Sequence, residues 1–253
     1  MNALKSTHIL KLSQQLDLLL THHTPINWEP IVNFPAFKTW QNKLISGSGG
    51  SGWGGAKIKE IQVQQYDLFG SGKVGFLKFK VINEANVPGI VLLRGGSVAI
   101  LVVLEDKSNP SNLYTLLVEQ QRFAVPSPQF YEIPAGMLDT STNNIKGKAI
   151  EELEEETGLS INPKELEDLL KQFENCDEGV LTSPGLLDET IHLYSIRKRM
   201  ALEEIEKLDG QLKGNREEGE LIKIKLVKLN EVGKYSKDMK TLFATQLFLN
   251  GLN

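Results

Sequence analysis

Apolar and polar residues change rhythm along this chain, and each change predicts an element. Between Met1 and His23 the apolar positions are Ile9, Leu10, Leu12, Leu16, Leu18, Leu19 and Leu20, a spacing that predicts an amphipathic helix. From Lys57 the period falls to two. Ile58, Ile61 and Val63 predict a strand reaching Tyr66, and Phe76, Leu77, Phe79 and Val81, set among lysines, predict another between Val74 and Ile82. Gly89 to Leu93 and Val98 to Leu104 are apolar runs of buried-strand length, and Tyr114 to Glu119 predicts a further strand. Asp106 to Asn112 is rich in Ser, Asn and Pro and predicts a turn. Helical spacing takes over from Ile145 to Thr157, with Gly158 placed to end it. A short helix is expected over Leu166 to Phe173, strands over Thr190 to Ile196 and Leu221 to Val227, and a closing helix over Asp238 to Leu249. Met239, Leu242, Phe243, Leu247 and Phe248 form the apolar side of that last helix.

Strands dominate before residue 135, and helices and strands mix after it. The expected fold class is therefore α/β (α+β), a β-rich N-terminal portion leading into an α/β/α sandwich. At 253 residues, with 40% hydrophobic and 24% charged, the chain has the balance of a globular protein of one or two domains. The net charge of −4 places nucleic-acid binding through a basic face behind other readings. No apolar run approaches 18 residues, so no membrane partner is expected. The single cysteine, Cys176, has no internal partner and suits a reducing compartment. The first residues lack a signal-peptide pattern. The expected location is cytoplasmic, with organellar targeting left open. Ser46 to Gly55 is the low-complexity stretch and predicts a flexible linker. A phosphate-cradling loop would need a Gly-Lys-Ser/Thr ending, which is missing.

Candidate chemistry concentrates in Glu151-Glu152-Leu153-Glu154-Glu155-Glu156-Thr157-Gly158-Leu159, five carboxylates in six residues. On a helix Glu152, Glu155 and Glu156 stand at spacings of three and four and share one side. Their repulsion costs about 0.2–0.5 kcal/mol per pair, which Lys146 and Lys148 offset only in part. A hard divalent cation would offset more, since Mg²⁺ and Mn²⁺ prefer carboxylate oxygen. A solvated acidic face is the plainer reading of such a helix. Upstream, Glu132-Ile133-Pro134-Ala135-Gly136 ends a strand at a turn where a glycine lets backbone approach a ligand.

Taken together, Gly136, Glu152, Leu153, Glu155, Glu156, Gly158 and Leu159 resemble the signature of the Nudix hydrolases. The resemblance implies an α/β/α sandwich with a mixed sheet and cleavage of nucleoside diphosphates linked to another moiety. It implies Mg²⁺ or Mn²⁺ held by Glu152, Glu155 and Glu156 with the backbone of Ala135 and Gly136. Three departures stand out. Glu151 occupies the arginine position, Asn143 or Asn144 lies near the place of an early glutamate, and the spacing from Gly136 to Glu151 is one residue longer.

Further segments, from Phe37 through Tyr66–Gly70, Val74–Lys80, Val87–Val91 and Glu217–Lys223, resemble the ADP-sugar diphosphatase and ADP-ribose pyrophosphatase group within that family. This implies a homodimer. It implies a dimerisation and nucleotide-recognition domain over residues 1–90 and a hydrolase domain over 91–253. It also implies substrate contacts from Arg94, from Glu119 and Arg122 of Glu-Gln-Gln-Arg, and from Gly185 and Glu189 of the Ser183–Glu189 loop. A paired diphosphate clamp is what a guanidinium such as that of Arg122 can offer. Glu217, Glu218 and Glu220 are the candidates for the carboxylate that activates water, and Glu155 is grouped with them as catalytic. The expected activity is metal-dependent hydrolysis of ADP-glucose or ADP-ribose to a nucleoside monophosphate and a sugar phosphate. A nucleotide-sugar-binding protein with weak or no catalysis, because of Glu151, is the alternative.

Overall fold

The computed structural model describes residues 5–11, 17–47, 57–70, 72–138, 144–214 and 222–252. By internal contacts the chain forms two compact units, residues 1–96 with 181–189, and residues 97–180 with 190–253.

The first unit is built on a five-stranded sheet in the order β1-β2-β3-β4-β5. Its strands are β1 (Ser6–Lys11), β2 (Asp17–His22), β3 (Ile58–Phe69), β4 (Lys73–Asn83) and β5 (Ile90–Leu93), with helices α1 (Glu29–Asn33) and α2 (Pro35–Gly47) between β2 and β3. The expected helix over Met1 to His23 is corrected here. Its described residues form an antiparallel hairpin pairing Ser6 with His22 and Lys11 with Asp17, and Leu19 to Thr21 also pair in parallel with β3. The physical reason is burial with a period of two. Leu18 and Leu20 are fully buried while Leu19 between them faces outward. Side-chain burial and two strand partners outweigh leucine's helix propensity. The core of this unit packs Leu18, Leu20, Ile61, Leu77 and Phe79 against Ile31 and Phe37 of the helices. Most of the expected linker lies outside the described residues.

The second unit carries a mixed sheet in the order β10-β12-β6-β7-β14-β13. These are β6 (Ser97–Asp106), β7 (Leu113–Arg122), β10 (Glu167–Asp168), β12 (Thr190–Met200), β13 (Leu212–Lys213) and β14 (Ile222–Lys228), with β8 (Ser127–Glu132) on β7, β9 (Ala135–Met137) on β6, and β11 (Val180–Leu181) beside β12. Strand β6 is buried at every residue, as a strand covered on both faces must be. Its even residues, Val98 to Leu104, pack against Ala149 and Leu153 of α3 (Ile145–Thr157) and Ile205 of α4 (Leu202–Glu206). Its odd residues, Ala99, Leu101 and Val103, pack against Ala244, Leu247 and Phe248 of α5 (Met239–Asn250). That is the expected α/β/α layering. The expected helix over Leu166 to Phe173 is absent. Leu166 follows a short 3-10 turn, Glu167–Asp168 pairs with β12, and the chain then turns. An edge pairing for two residues and burial of Leu166, Leu169 and Leu170 replace helical hydrogen bonds.

The sheet splits beside β6. The far end of β6 pairs with β7 through Val103 to Glu105, while its near end pairs with β9 through Ser97 to Ala99. The other end of β7 turns to β8. Ala135 and Gly136 therefore sit in a gap opened inside the sheet, beneath α3.

Candidate active site

Helix α3 is set by its ends and its apolar stripe. The Asn144 side chain caps the first turn by accepting from the Gly147 N–H at 2.9 Å. Gly158, at φ 71°, takes the left-handed conformation that ends a helix, and its N–H reaches the Glu154 carbonyl at 2.8 Å. Leu153 and Ala149 are fully buried against β6, and this rotation brings Glu152 and Glu156 over β9.

Glu156 is 4% exposed. It accepts the backbone N–H of Ala135 at 3.2 Å and the Gln120 amide at 3.0 Å. Glu152 lies against Gly136, where a Cβ would stand 2.0 Å from its carboxyl carbon. Its Oε1 also sits 2.9 Å from the Lys148 ammonium, which reaches Glu151 at 3.7 Å. Glu151, in the arginine position, is largely exposed, as are Glu154 and Glu155. Burial works against the charge of Lys148, but the hydrogen bond and charge of Glu152, then the charges of Glu151 and Glu155, raise its pKa above the ordinary lysine value.

Among the described residues no three carboxylate, imidazole or thiol groups converge as they stand on a point that could hold a metal ion. The donor chemistry nevertheless suits a hard cation. Carboxylates line one helix face, and the missing side chain at Gly136 lets Glu152 rest directly on the β9 backbone.

Arg122 and Glu119 lie at the β8 side of the split. Glu132, 2% exposed, accepts from Arg122 Nε at 2.7 Å and also pairs with Lys240 of α5. The Arg122 side chain remains 43% exposed, so its guanidinium is anchored on one edge and open on another. Glu119 accepts the Tyr131 hydroxyl at 3.1 Å, and burial followed by this carboxylate raises the pKa of that phenol.

Arg94, Gly185 and Glu189 belong to the first unit. Asp188 ties their loop down by accepting the N–H groups of Arg94 at 2.8 Å and Gly95 at 3.2 Å. Arg94 lies 3.6 Å from Glu189 and 5.9 Å from the centre of the Phe76 ring. Gly185 is exposed, beside a cavity of about 530 Å³ that Trp40, Lys43, Val91 and Leu187 help to line. Glu217, Glu218 and Glu220 lie outside the described residues, as does Asn143.

Sequence reasoning did not single out Gln120, Glu132 or Lys240 for the positions they hold. The lysine–glutamate spacing of four from Lys148 to Glu152 was a legible signal. No pattern ties Lys240 to Glu132, which are 108 residues apart.

Comparison with known proteins places this architecture. The NUDIX domain profile matches residues 94–246. The chain is 35% identical to Nudix hydrolase 14, chloroplastic, of Arabidopsis thaliana, over 84% of this chain and 69% of the relative. It is 30% identical to a methanol dehydrogenase activator of Bacillus methanolicus, over 62% of this chain and 73% of that protein. A crystal structure of an ADP compounds hydrolase superposes with a TM-score of 0.49 at 13% identity, covering 78% of this chain and 94% of its own. With the profile spanning more than half of the sequence and a Nudix hydrolase as a relative, the chain belongs to the Nudix hydrolase family.

Proposed function

We propose that this protein hydrolyses the diphosphate bond of a nucleotide sugar, ADP-glucose or ADP-ribose, to a nucleoside monophosphate and a sugar phosphate. The observation that carries the reading is the seating of Glu152 and Glu156 on the β9 backbone at Ala135 and Gly136. Glu152, Glu155 and Glu156, with backbone oxygen at Ala135 or Gly136, are the groups that would hold Mg²⁺ or Mn²⁺. A bound divalent cation neutralises diphosphate charge and lowers the pKa of its water. Arg122 binds the diphosphate through the open edge of its guanidinium, with Glu132 fixing the other edge. Glu119, Arg94, Gly185 and Glu189 serve the rest of the substrate. One of Glu217, Glu218 and Glu220 takes the proton from attacking water.

In the same reading residues 1–90 serve dimerisation and nucleotide recognition, residues 91–253 carry the chemistry, and the protein works as a homodimer. Light scattering after size exclusion checks the dimer. A cytoplasmic or an organellar location is distinguished by imaging the full chain in its host. The decisive assay is a panel of nucleotide sugars with Mg²⁺ and Mn²⁺. Release of AMP from ADP-ribose or ADP-glucose, abolished by chelation, supports the proposal. Absence of any turnover across the panel removes it.

The second reading is a nucleotide-sugar binder with weak chemistry, favoured by Glu151 standing exposed where a cation was expected. Calorimetry showing tight ADP-ribose binding without metal-dependent turnover would select it.

A further inference from the structure

Like charges at helical spacing on α3 repel one another, and a nearby cation relieves that repulsion and fixes the carboxylate it meets. The contacts around Glu152 show where a cation is supplied. Lys148 lies one turn earlier on α3, at the spacing of four that brings side chains together on a helix face. Its Nζ is 2.9 Å from Glu152 Oε1, and both side chains are largely covered, 27% and 19% exposed. On the other flank of Glu152 is Gly136, whose hypothetical Cβ would stand 2.2 Å from the same Oε1. The carboxylate is thus pinched between a bare stretch of β9 and an ammonium. Glu151 meets the same ammonium from outside at 3.7 Å, with 68% of its side chain exposed. Lys146 is differently engaged, 5.8 Å from the centre of the Tyr194 ring.

We propose that Lys148 is the positioning residue for Glu152, and that Glu151 acts as the outer tether of Lys148. The row Glu151–Lys148–Glu152 moves the orienting cation by one helical turn and makes the acidic residue at position 151 part of the device. This rests on the reading of Glu152 as a metal ligand. Residues that orient metal ligands without touching the metal commonly change metal affinity by about 10–100-fold when lost.

The test is Mn²⁺ affinity, read by electron paramagnetic resonance on the full chain, together with kcat and KM for ADP-ribose. Lys148→Gln should weaken Mn²⁺ binding by about 10-fold and lower kcat more than it changes KM. Lys148→Arg should recover most of the affinity. So should Lys148→Gln combined with Glu151→Arg, which moves the cation back to position 151. Unchanged or tighter Mn²⁺ binding in Lys148→Gln overturns the proposal, and so does a double variant no better than the single one. Glu152→Gln separates the two claims. If it binds Mn²⁺ like the parent, the ligand reading itself has failed. If it loses Mn²⁺ while Lys148→Gln keeps it, only the role of Lys148 has failed. Melting curves on all variants confirm that each is folded.

Discussion

Two groups of glutamates in the second unit are treated in opposite ways. Glu132 and Glu105 are each 2% exposed, and each is met by two full positive charges. Glu132 has Arg122 and Lys240, and Glu105 has Arg197 at 2.6 Å and Arg199 at 2.5 Å. Burial opposes the charge of Glu105, but its bonds to Arg199 and Arg197 outweigh that and hold its pKa below the ordinary value. On α3 Glu152 and Glu155 are held more lightly. Glu152 shares one lysine with Glu151, and Glu155 is exposed. A carboxylate already enclosed by two cations has little left to offer a metal. A carboxylate held in place by weaker donors keeps its negative charge available.

If that contrast is sound, neutralising the two groups should have different consequences. The largest effect is expected for Glu155→Gln, which should lower metal-dependent turnover of ADP-ribose by about 100-fold while leaving the melting temperature close to the parent's. Turnover equal to the parent's would refute the role given to α3. Glu132→Gln should act on stability and, by loosening Arg122, raise KM, while leaving the metal site intact. It leaves Lys240, only 12% exposed, with Asp238 at 3.1 Å as its remaining carboxylate, and should cost about 2 kcal/mol in urea denaturation. A loss under about 1 kcal/mol would mean that the pair is a surface ornament. A third measurement sharpens the division. At a hundredfold excess over Kd, Mn²⁺ should stabilise the parent by about 2.7 kcal/mol in thermal unfolding. Glu132→Gln should keep that gain and Glu155→Gln should lose most of it. Equal gains in both variants would erase the distinction.

The smallest effect belongs to a half-buried group outside both sets. Burial lowers the pKa of His192 below 6.5, although Asp168 and Glu178 oppose the shift. The unfolded chain therefore takes up the proton first as pH falls. The contribution of His192 is present above about pH 6.5 and is lost as pH falls through the folded pKa. His192→Asn should flatten stability against pH in that window, and an unchanged slope would show that the imidazole is as solvated as in the unfolded chain.

Much of the second unit was legible because local signals agreed with packing. In α3 the apolar stripe, the acidic face and Gly158 all call for one helix, and the helix runs from Ile145 to Thr157. Strand β6 was legible as an unbroken apolar run for a related reason, since burial on both faces leaves no choice of side. The N-terminal hairpin was not. Leu18, Leu19 and Leu20 satisfy a helical stripe as readily as a strand, and the choice is made by β3, about forty residues later. Helix α2 went unread because Phe37 and Trp40 mark its apolar side too sparsely to set a period before the fold places Phe79 beside both rings. In the candidate site, the shared helix face of Glu152 and Glu156 was readable from spacing. Gln120 and Lys240 were not, because the first gains its position from the split sheet and the second from the closing helix.

The split beside β6 also sets how the two partners of α3 can come apart. Strand β6 runs along β12 for ten paired residues, from Ser97 to Asp106. Strand β9 holds β6 by three, Ser97 to Ala99. Amide hydrogens in β6 should therefore exchange only when the unit unfolds, whereas those of Ala135 to Met137 should escape by a local opening. Such an opening would withdraw the floor from Glu152 and the N–H from Glu156 together while the core stays shut. The seam that exposes backbone to the helix would in this sense act as a hinge line, and Glu152 and Glu156 are the carboxylates that rest on it.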